Sequence, residues 1–265
     1  MRTKIIAEAA SNHRGDVAVA KEMIHVAKEI GCDIVKFQSW QSKNLKPGDP
    51  GSDRYKSREL SDDDHYLLKE ECEKAGIEFL TSVFDVGRIP FLRELGLRRI
   101  KVPSPDCGSK RMLELLRESF DELIVSTGMS PVEDVRTASE VLKGHDFTLL
   151  HCVSLYPTPP EQADLARMDW LRQFCPKVGY SDHTMGTAAG KLAIARGAIY
   201  LEKHYCLERD PSDKFGAMAG TPAEFKELVD YAREVEMLMG SPAPGMSEEE
   251  KEMRETFVGR WGDNR

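Results

Sequence analysis

The sequence predicts an α/β protein of the (β/α)8 TIM-barrel class, on three observations. Eight short β-rich runs alternate with longer helical patterns along the chain. Several runs are nearly continuous in apolar residues, as at residues 123–125, which is how parallel strands covered on both faces read. The length of 265 residues matches one barrel of roughly 250 residues. A doubly wound open sheet is the alternative, but it usually has fewer strands.

The strand candidates, in order, are residues 4–10, 33–39, 78–84, 98–104, 122–127, 147–153, 178–183 and 200–205. The helical patterns lie between them. Residues 16–30 gather Val17, Val19, Ala20, Met23, Ile24 and Ala27 on an apolar face, with Asp16 to cap the start and Gly31 the end. Residues 61–75 open on Ser61 and three aspartates, which suit the free N–H groups and positive end of a helix. Ser130, Pro131 and Glu133 predict a further helix start, with Ser130 as cap and Pro131 at the first helical position. Residues 184–196 and 222–239 are two more helices, the second opened by a Thr221/Glu224 capping box. The barrel is therefore assigned to residues 1–240. Residues 241–265 read as a linker-like tail, a Pro/Gly/Ser hinge followed by a charged helical stretch.

Composition narrows the function. A net charge of -8 argues against a surface that tracks a nucleic-acid backbone, while leaving room for a local basic pocket for a small anion. No apolar run is long enough for a membrane span, and the first residues lack the pattern of a secretory signal, so the expected location is cytoplasmic. The six cysteines are scattered without a CxxC pair and read as small buried residues.

Barrel active sites form at the C-terminal ends of the strands, and here those ends are polar throughout. They offer Glu8 with Ser11, Asn12 and His13; Lys36 and Gln38; Thr81, Ser82 and Asp85; Lys101, Ser104 and Asp106; Ser126 and Thr127; His151, Ser154 and Tyr156; Ser181, Asp182 and His183; and Glu202, Lys203 and His204. Strand alternation puts Lys36 and Gln38 on one side of their strand and Glu202 and His204 on one side of theirs. Lys203 then faces the helices or the rim. Glu8, Lys36, Lys101 and Glu202 can neutralise one another in the lumen, which is a purely structural use of them. Polar residues at all eight strand ends favour a site instead. Lys36 and Lys101, with Ser82, Ser104, Ser126 and Ser181, suit phosphate and carboxylate oxygens. His183 and His204 on neighbouring strands could hold one divalent ion as neutral imidazoles. His151, inside an apolar run, fits a structural histidine.

The strings IAEAASNHRGD, DIVKFQS, EFLTSVFD, KVPSPDC, STGMS, LLHCVSLYPTPP, VGYSDHTMG and GAIYLEKHY, in this order, resemble the N-acetylneuraminate (sialic acid) synthase family. The likeness spans residues 4–240. It implies a (β/α)8 barrel and a reaction that condenses phosphoenolpyruvate with a sugar aldehyde, releasing phosphate and forming a 2-keto-3-deoxy sugar acid. It implies that His183 and His204 hold Mn2+ or Mg2+, and that Lys36, Lys101, Ser104, Ser126 and Ser181 hold phosphoenolpyruvate, with Ser82 where the family has a threonine. Glu8, Gln38 and Tyr156 would face the sugar or the reacting centre. Asp106 falls where the family places a glutamate, and it is the favoured proton-handling group, with Glu8 and Glu202 as the others. A homodimer is implied.

Three departures are expected to matter. Ser154 stands where many members have asparagine. Phe215 and Gly216 replace an Asp-His pair, and Ala219 replaces a serine, so the sugar-binding loop is altered. The family's C-terminal antifreeze-like domain is not in the sequence, so a separate chain supplies it, the substrate differs, or the sequence is a piece of a longer one. Two other readings are a different barrel aldolase, lyase or isomerase, and a non-catalytic member acting as a subunit.

Overall fold

The structure, a computed structural model, describes residues 2–213, 215–240 and 245–262. Eight parallel strands among the described residues close into a barrel in chain order. They are β1 (Lys4–Glu8), β2 (Ile34–Ser39), β3 (Glu78–Val83), β4 (Arg99–Val102), β5 (Glu122–Ser126), β6 (Asp146–Cys152), β7 (Val178–Asp182) and β8 (Tyr200–His204). Between and after them run α1 (Val17–Glu29), α2 (Ser52–Ser57), α3 (Asp62–Ala75), α4 (Ile89–Glu94), α5 (Lys110–Arg117), α6 (Val132–Val141), α7 (Arg167–Leu171), α8 (Ala188–Ala195), α9 (Pro222–Met239) and α10 (Glu248–Phe257). The main core lies between strands and helices, where outward residues such as Ile5, Val35, Leu123 and Leu201 meet helix faces such as Met23, Ile24 and Leu228.

Most caps fall where the sequence put them. Asp16 accepts from Ala18 and Val19 N–H at the start of α1, and Ser61/Asp64 and Thr221/Glu224 close capping boxes on α3 and α9. Two helix starts differ. Pro131, not Ser130, precedes α6, and no side chain caps it. Ser130 Oγ donates instead to the carbonyl oxygens of Gly128 (3.1 Å) and Ser104 (3.4 Å), a local alternative that serine hydroxyls readily take. Likewise α8 begins at Ala188 rather than near Thr184. The Thr184 N–H and hydroxyl both donate to Asp182 Oδ1 at 2.8 Å, and Gly186 takes φ +70, which breaks the helical path.

Register sets what the barrel encloses. Glu8 lies beside Lys36 on β2 and beside His204 on β8. Because the side chains alternate, inward residues form layers. At the bottom, Arg99 Nε lies 3.1 Å from Glu78 and 3.2 Å from Glu122, Arg99 also donates to the Tyr200 hydroxyl (3.0 Å), and that hydroxyl donates to Glu122 Oε1 (2.7 Å). Above it, Ile6, Ile34, Leu80, Ile124 and Leu150 form a separate apolar plug. The layer above that is charged. Lys203 faces outward, as alternation requires; it is fully buried, 2.9 Å from Asp182 Oδ2 and 2.6 Å from the Thr184 carbonyl.

The bottom network faces away from the strand ends that carry sites, so it serves stability. Replacing Arg99 with Met leaves Glu122 buried without its cation. The expected loss is about 3 kcal/mol of unfolding free energy, read by denaturant titration.

Candidate active site

The charged layer is built from four side chains on four strands: Glu8 on β1, Lys36 on β2, Lys101 on β4 and Glu202 on β8. Lys36 Nζ sits 2.8 Å from Glu8 Oε2, 3.3 Å from Glu202 Oε2 and 2.9 Å from Ser82 Oγ, so three oxygens surround it. Lys101 Nζ is less well matched. It lies 3.9 Å from Glu202 Oε1 and donates to the Val102 carbonyl at 3.0 Å. Gln38 donates to Glu8 (2.9 Å), and Ser181 to Glu202 (2.9 Å). Burial opposes the Lys36 cation, but Glu202 and Glu8 outweigh it and raise its pKa. Burial dominates at Lys101 and pulls it down.

The two carboxyls part company. Burial pushes Glu8 up to about 7, helped by the Glu202 charge and only partly offset by Lys36. Burial also works against ionised Glu202, yet Lys101, Lys36 and the Ser181 hydroxyl together hold it at about 2. The two neighbouring acids are therefore pushed in opposite directions, Glu8 toward its protonated form and Glu202 toward its ionised one.

A cavity of about 270 Å³ opens above this layer. Its wall contains Lys36, Gln38, Ser82, Lys101, Ser104, Ser126, Ser154, Tyr156, Ser181, His183 and Glu202. The Ser126 and Ser154 hydroxyls are buried without a hydrogen-bond partner among the described residues. Such orphaned groups in a polar cavity mark where a bound molecule would be satisfied. Gly128 makes this corner possible. A Cβ there would stand 2.3 Å from Ser154 Oγ, 2.9 Å from Ser104 Oγ and 3.0 Å from Cys152 Sγ, and the Gly128 N–H donates to Ser104 Oγ.

His183 and His204 meet at the upper edge, ring centroids 5.5 Å apart. His183 Nδ1 lies 2.8 Å from the Val153 carbonyl. A carbonyl only accepts, so Nδ1 carries a proton and Nε2 is the nitrogen left to face a ligand. Burial opposes the His183 cation, but Cys152, the Val153 carbonyl and Glu202 outweigh it and raise its pKa. Burial first, then the neighbouring His183 and Lys36, drive the His204 pKa well below its usual value, and its buried Nδ1 has no partner among the described residues. His204 is thus held as a neutral imidazole, while His183 would bind a divalent ion through Nε2 on giving up any proton there. No third His, Cys, Asp or Glu joins them among the described residues, so an ion held here would complete its shell with water or substrate oxygens. His151 behaves structurally: Nε2 meets the Ala163 carbonyl at 2.7 Å and the ring stacks on Tyr180.

A model of the NeuB family matches residues 23–243. The chain belongs to the NeuB family. An N,N'-diacetyllegionaminic acid synthase of Legionella pneumophila is 37% identical, over 94% of this chain and 77% of that protein. The N-acetylneuraminate-9-phosphate synthase of Homo sapiens is 32% identical, over 90% and 71%. Among solved structures, the N-acetylneuraminic acid synthetase of Leptospira borgpetersenii, in complex with citrate, superposes with a TM-score of 0.91 at 30% identity, covering 98% of this chain and 93% of that one.

Not every expected residue of this NeuB member reaches the cavity. Glu8 and His204 stand behind its wall, in contact with Lys36 and His183. Asp106 lies outside the wall, in the turn after β4; burial raises its pKa and its Oδ1 accepts from Ser109 Oγ at 3.0 Å. Asp213, in the altered loop, also lies outside the wall. Its carboxylate is consumed by Arg54, Arg58 and two backbone N–H groups, and it borders a separate cavity of about 460 Å³ beside β1 and β8. The wall also holds residues that sequence reasoning passed over: Tyr55, Phe84, Met129 and Cys152. Tyr55 and Met129 lie in loops or short helices without periodicity. Cys152 could have been found by alternation, two residues beyond the inward Leu150.

The Glu8 shift has a sign that can be tested. Its folded pKa lies above the unfolded value, so the native state holds an extra proton between about 4.5 and 7, and its contribution to stability falls as pH rises through that window. Glu8→Gln mimics the protonated acid. The melting temperature of the variant, relative to the unaltered protein, should rise from pH 5 to pH 8.

Proposed function

We propose that the protein condenses phosphoenolpyruvate with the open-chain aldehyde of an aldose or aminosugar, giving a sialic-acid-like 2-keto-3-deoxy sugar acid and phosphate. The observation that carries this is the cavity in which two buried lysines, six serines and a histidine converge above an apolar plug. Phosphoenolpyruvate brings a carboxylate and a phosphate, and such a wall answers both. The synthases among its relatives carry names of the same chemistry.

Lys101, the less satisfied cation, takes the larger share of the anion, while Lys36 orients Glu8, Glu202 and Ser82. Ser104, Ser126 and Ser154 present hydroxyls to the phosphate or carboxylate oxygens. Carbon 3 of the enol bonds to the aldehyde carbon, and the aldehyde oxygen becomes a hydroxyl. Carbon 2 becomes electron-poor and takes up water; its bond to the phosphate oxygen then breaks, and phosphate leaves. Glu202, held ionised, stabilises the positive charge at carbon 2. Glu8, behind the wall, positions Lys36 and Gln38, and the proton that the attacking water gives up balances the one that the aldehyde oxygen gains. His183 and His204 would hold Mn2+ or Mg2+, which would supply Lewis-acid polarisation of a carbonyl oxygen. Gln38 and Tyr156 border the sugar side. The cytoplasm and a homodimer belong to the same proposal.

Phosphate release tests it. Release is expected only when phosphoenolpyruvate and an aldose are both present, to stop on chelation, and to resume with Mn2+. Absence of release, together with no calorimetric binding of phosphoenolpyruvate, would refute the reading. In the active protein, Gly128→Ala pushes a methyl into the serine corner. The KM for phosphoenolpyruvate should rise at least about tenfold, the scale of one lost charge-assisted contact, with a smaller change in the acceptor KM.

A further inference from the structure

His183 and His204 point inward from the ends of β7 and β8, and the residues beside them on the outer face form a brace of their own. Asp182 and Lys203 lie opposite each other in the register of the two strands. Both side chains are fully buried. Lys203 Nζ donates to Asp182 Oδ2 at 2.9 Å and to the Thr184 carbonyl at 2.6 Å. Asp182 Oδ1 accepts from the Thr184 N–H and hydroxyl, both at 2.8 Å, and from the Tyr180 hydroxyl at 3.2 Å.

The brace brackets His183. The residue before it supplies the carboxylate, and the residue after it supplies two donors and a carbonyl. One ammonium group ties both to β8, at the residue next to His204. His183 has two further restraints on its other side. Its Nδ1 lies 2.8 Å from the Val153 carbonyl, and its own carbonyl accepts from the Thr158 N–H at 2.8 Å. The His204 ring has no such hold on Nδ1 among the described residues, so its placement follows from its backbone and the rings packed around it.

Stability does not call for a charge pair at this position. Apolar side chains of similar volume would serve as well or better, because burial strips both ions of their water. What the pair adds is direction, since an ammonium group in a dry interior must aim its N–H donors at fixed acceptors. A site with two protein ligands needs such a constraint. No third His, Cys, Asp or Glu joins the histidines among the described residues. Their mutual placement, with ring centroids 5.5 Å apart and planes at 52°, therefore has no further protein ligand to correct it.

Resting on the reading of His183 and His204 as a divalent-ion site, we infer that Lys203 and Asp182 are positioning residues for the histidine pair. Neither lines the cavity, so neither meets substrate. Their ion pair, on the outer face of the barrel, sets the separation and tilt at which the two imidazoles take one ion.

Mn2+ alone reads this without turnover. It is titrated calorimetrically into the unaltered protein and into Lys203→Met, Asp182→Asn, Thr184→Val and Arg99→Met, each well below its own melting temperature. Lys203→Met and Asp182→Asn should weaken binding about ten- to a hundredfold, the range for removing a group that orients a metal ligand. Thr184→Val keeps the ion pair and removes one hydroxyl donor, so it reports even if the charge variants do not fold. It should weaken binding about three- to tenfold, the scale of one hydrogen bond. Arg99→Met loosens the opposite end of the barrel and should keep the affinity of the unaltered protein. Brace variants that melt lower yet bind Mn2+ unchanged would overturn the inference and leave the pair a structural role. An equal loss in Arg99→Met would overturn it as well. A protein that binds no Mn2+ would overturn the histidine site and this inference together. Absence of phosphate release, with the Mn2+ pattern as expected, would count against the synthase reading alone and leave this inference standing.

Discussion

Two lysines and two glutamates share a closed layer inside the barrel, and everything above it depends on how that layer settles its charge. Neutrality among four ions would make the layer a structural plug. Instead the layer is uneven: Glu8, Glu202 and Ser82 surround Lys36, while Lys101 has Glu202 only at 3.9 Å and the Val102 carbonyl at 3.0 Å. A cavity lined by hydroxyls sits directly over that less matched lysine. Buried ion networks are weak stabilisers in themselves, so the arrangement is better understood as preparation for an anion than as reinforcement of the fold. The barrel's own reinforcement lies at the opposite end, around Arg99 and Glu122.

The upper edge follows a different logic. There the wall is aromatic, and its hydrogen-bonding capacity is turned outward into a loop-to-loop clamp at Asp213. The chain matches its NeuB relatives over most of its length, and the segment carrying Phe215 is one where the sequence was expected to depart from the family.

Much of this was legible from residues alone. Period-2 alternation correctly set Lys36 inward and Lys203 outward, because a closed parallel sheet leaves each side chain only two directions. Strand ends were overextended, at Ala10 and Ser104 for example, since polar residues continue the pattern after the ladder has stopped. The Ser130 cap failed because its hydroxyl has two closer carbonyls to serve. Asp106 was legible as a carboxylate at a strand end but not as one turned toward Ser109, which depends on the turn after β4. The division of labour between Glu8 and Glu202 could not be read from sequence, because it depends on ångström differences in their distances to two lysines. The Phe215 segment was noticed only as a departure; its geometry comes from a salt-bridged loop pair separated by more than 150 residues.

On the proposed function, Lys101 is the lysine that meets the incoming anion. Calorimetric titration of phosphoenolpyruvate into the protein and into Lys101→Met, at one ionic strength and with circular dichroism to verify folding, tests this. The unaltered protein should bind, and the variant should lose about a hundredfold or more in affinity, the scale of a buried charge-assisted contact. Equal affinity in the two proteins would contradict it and return the four charges to a structural role.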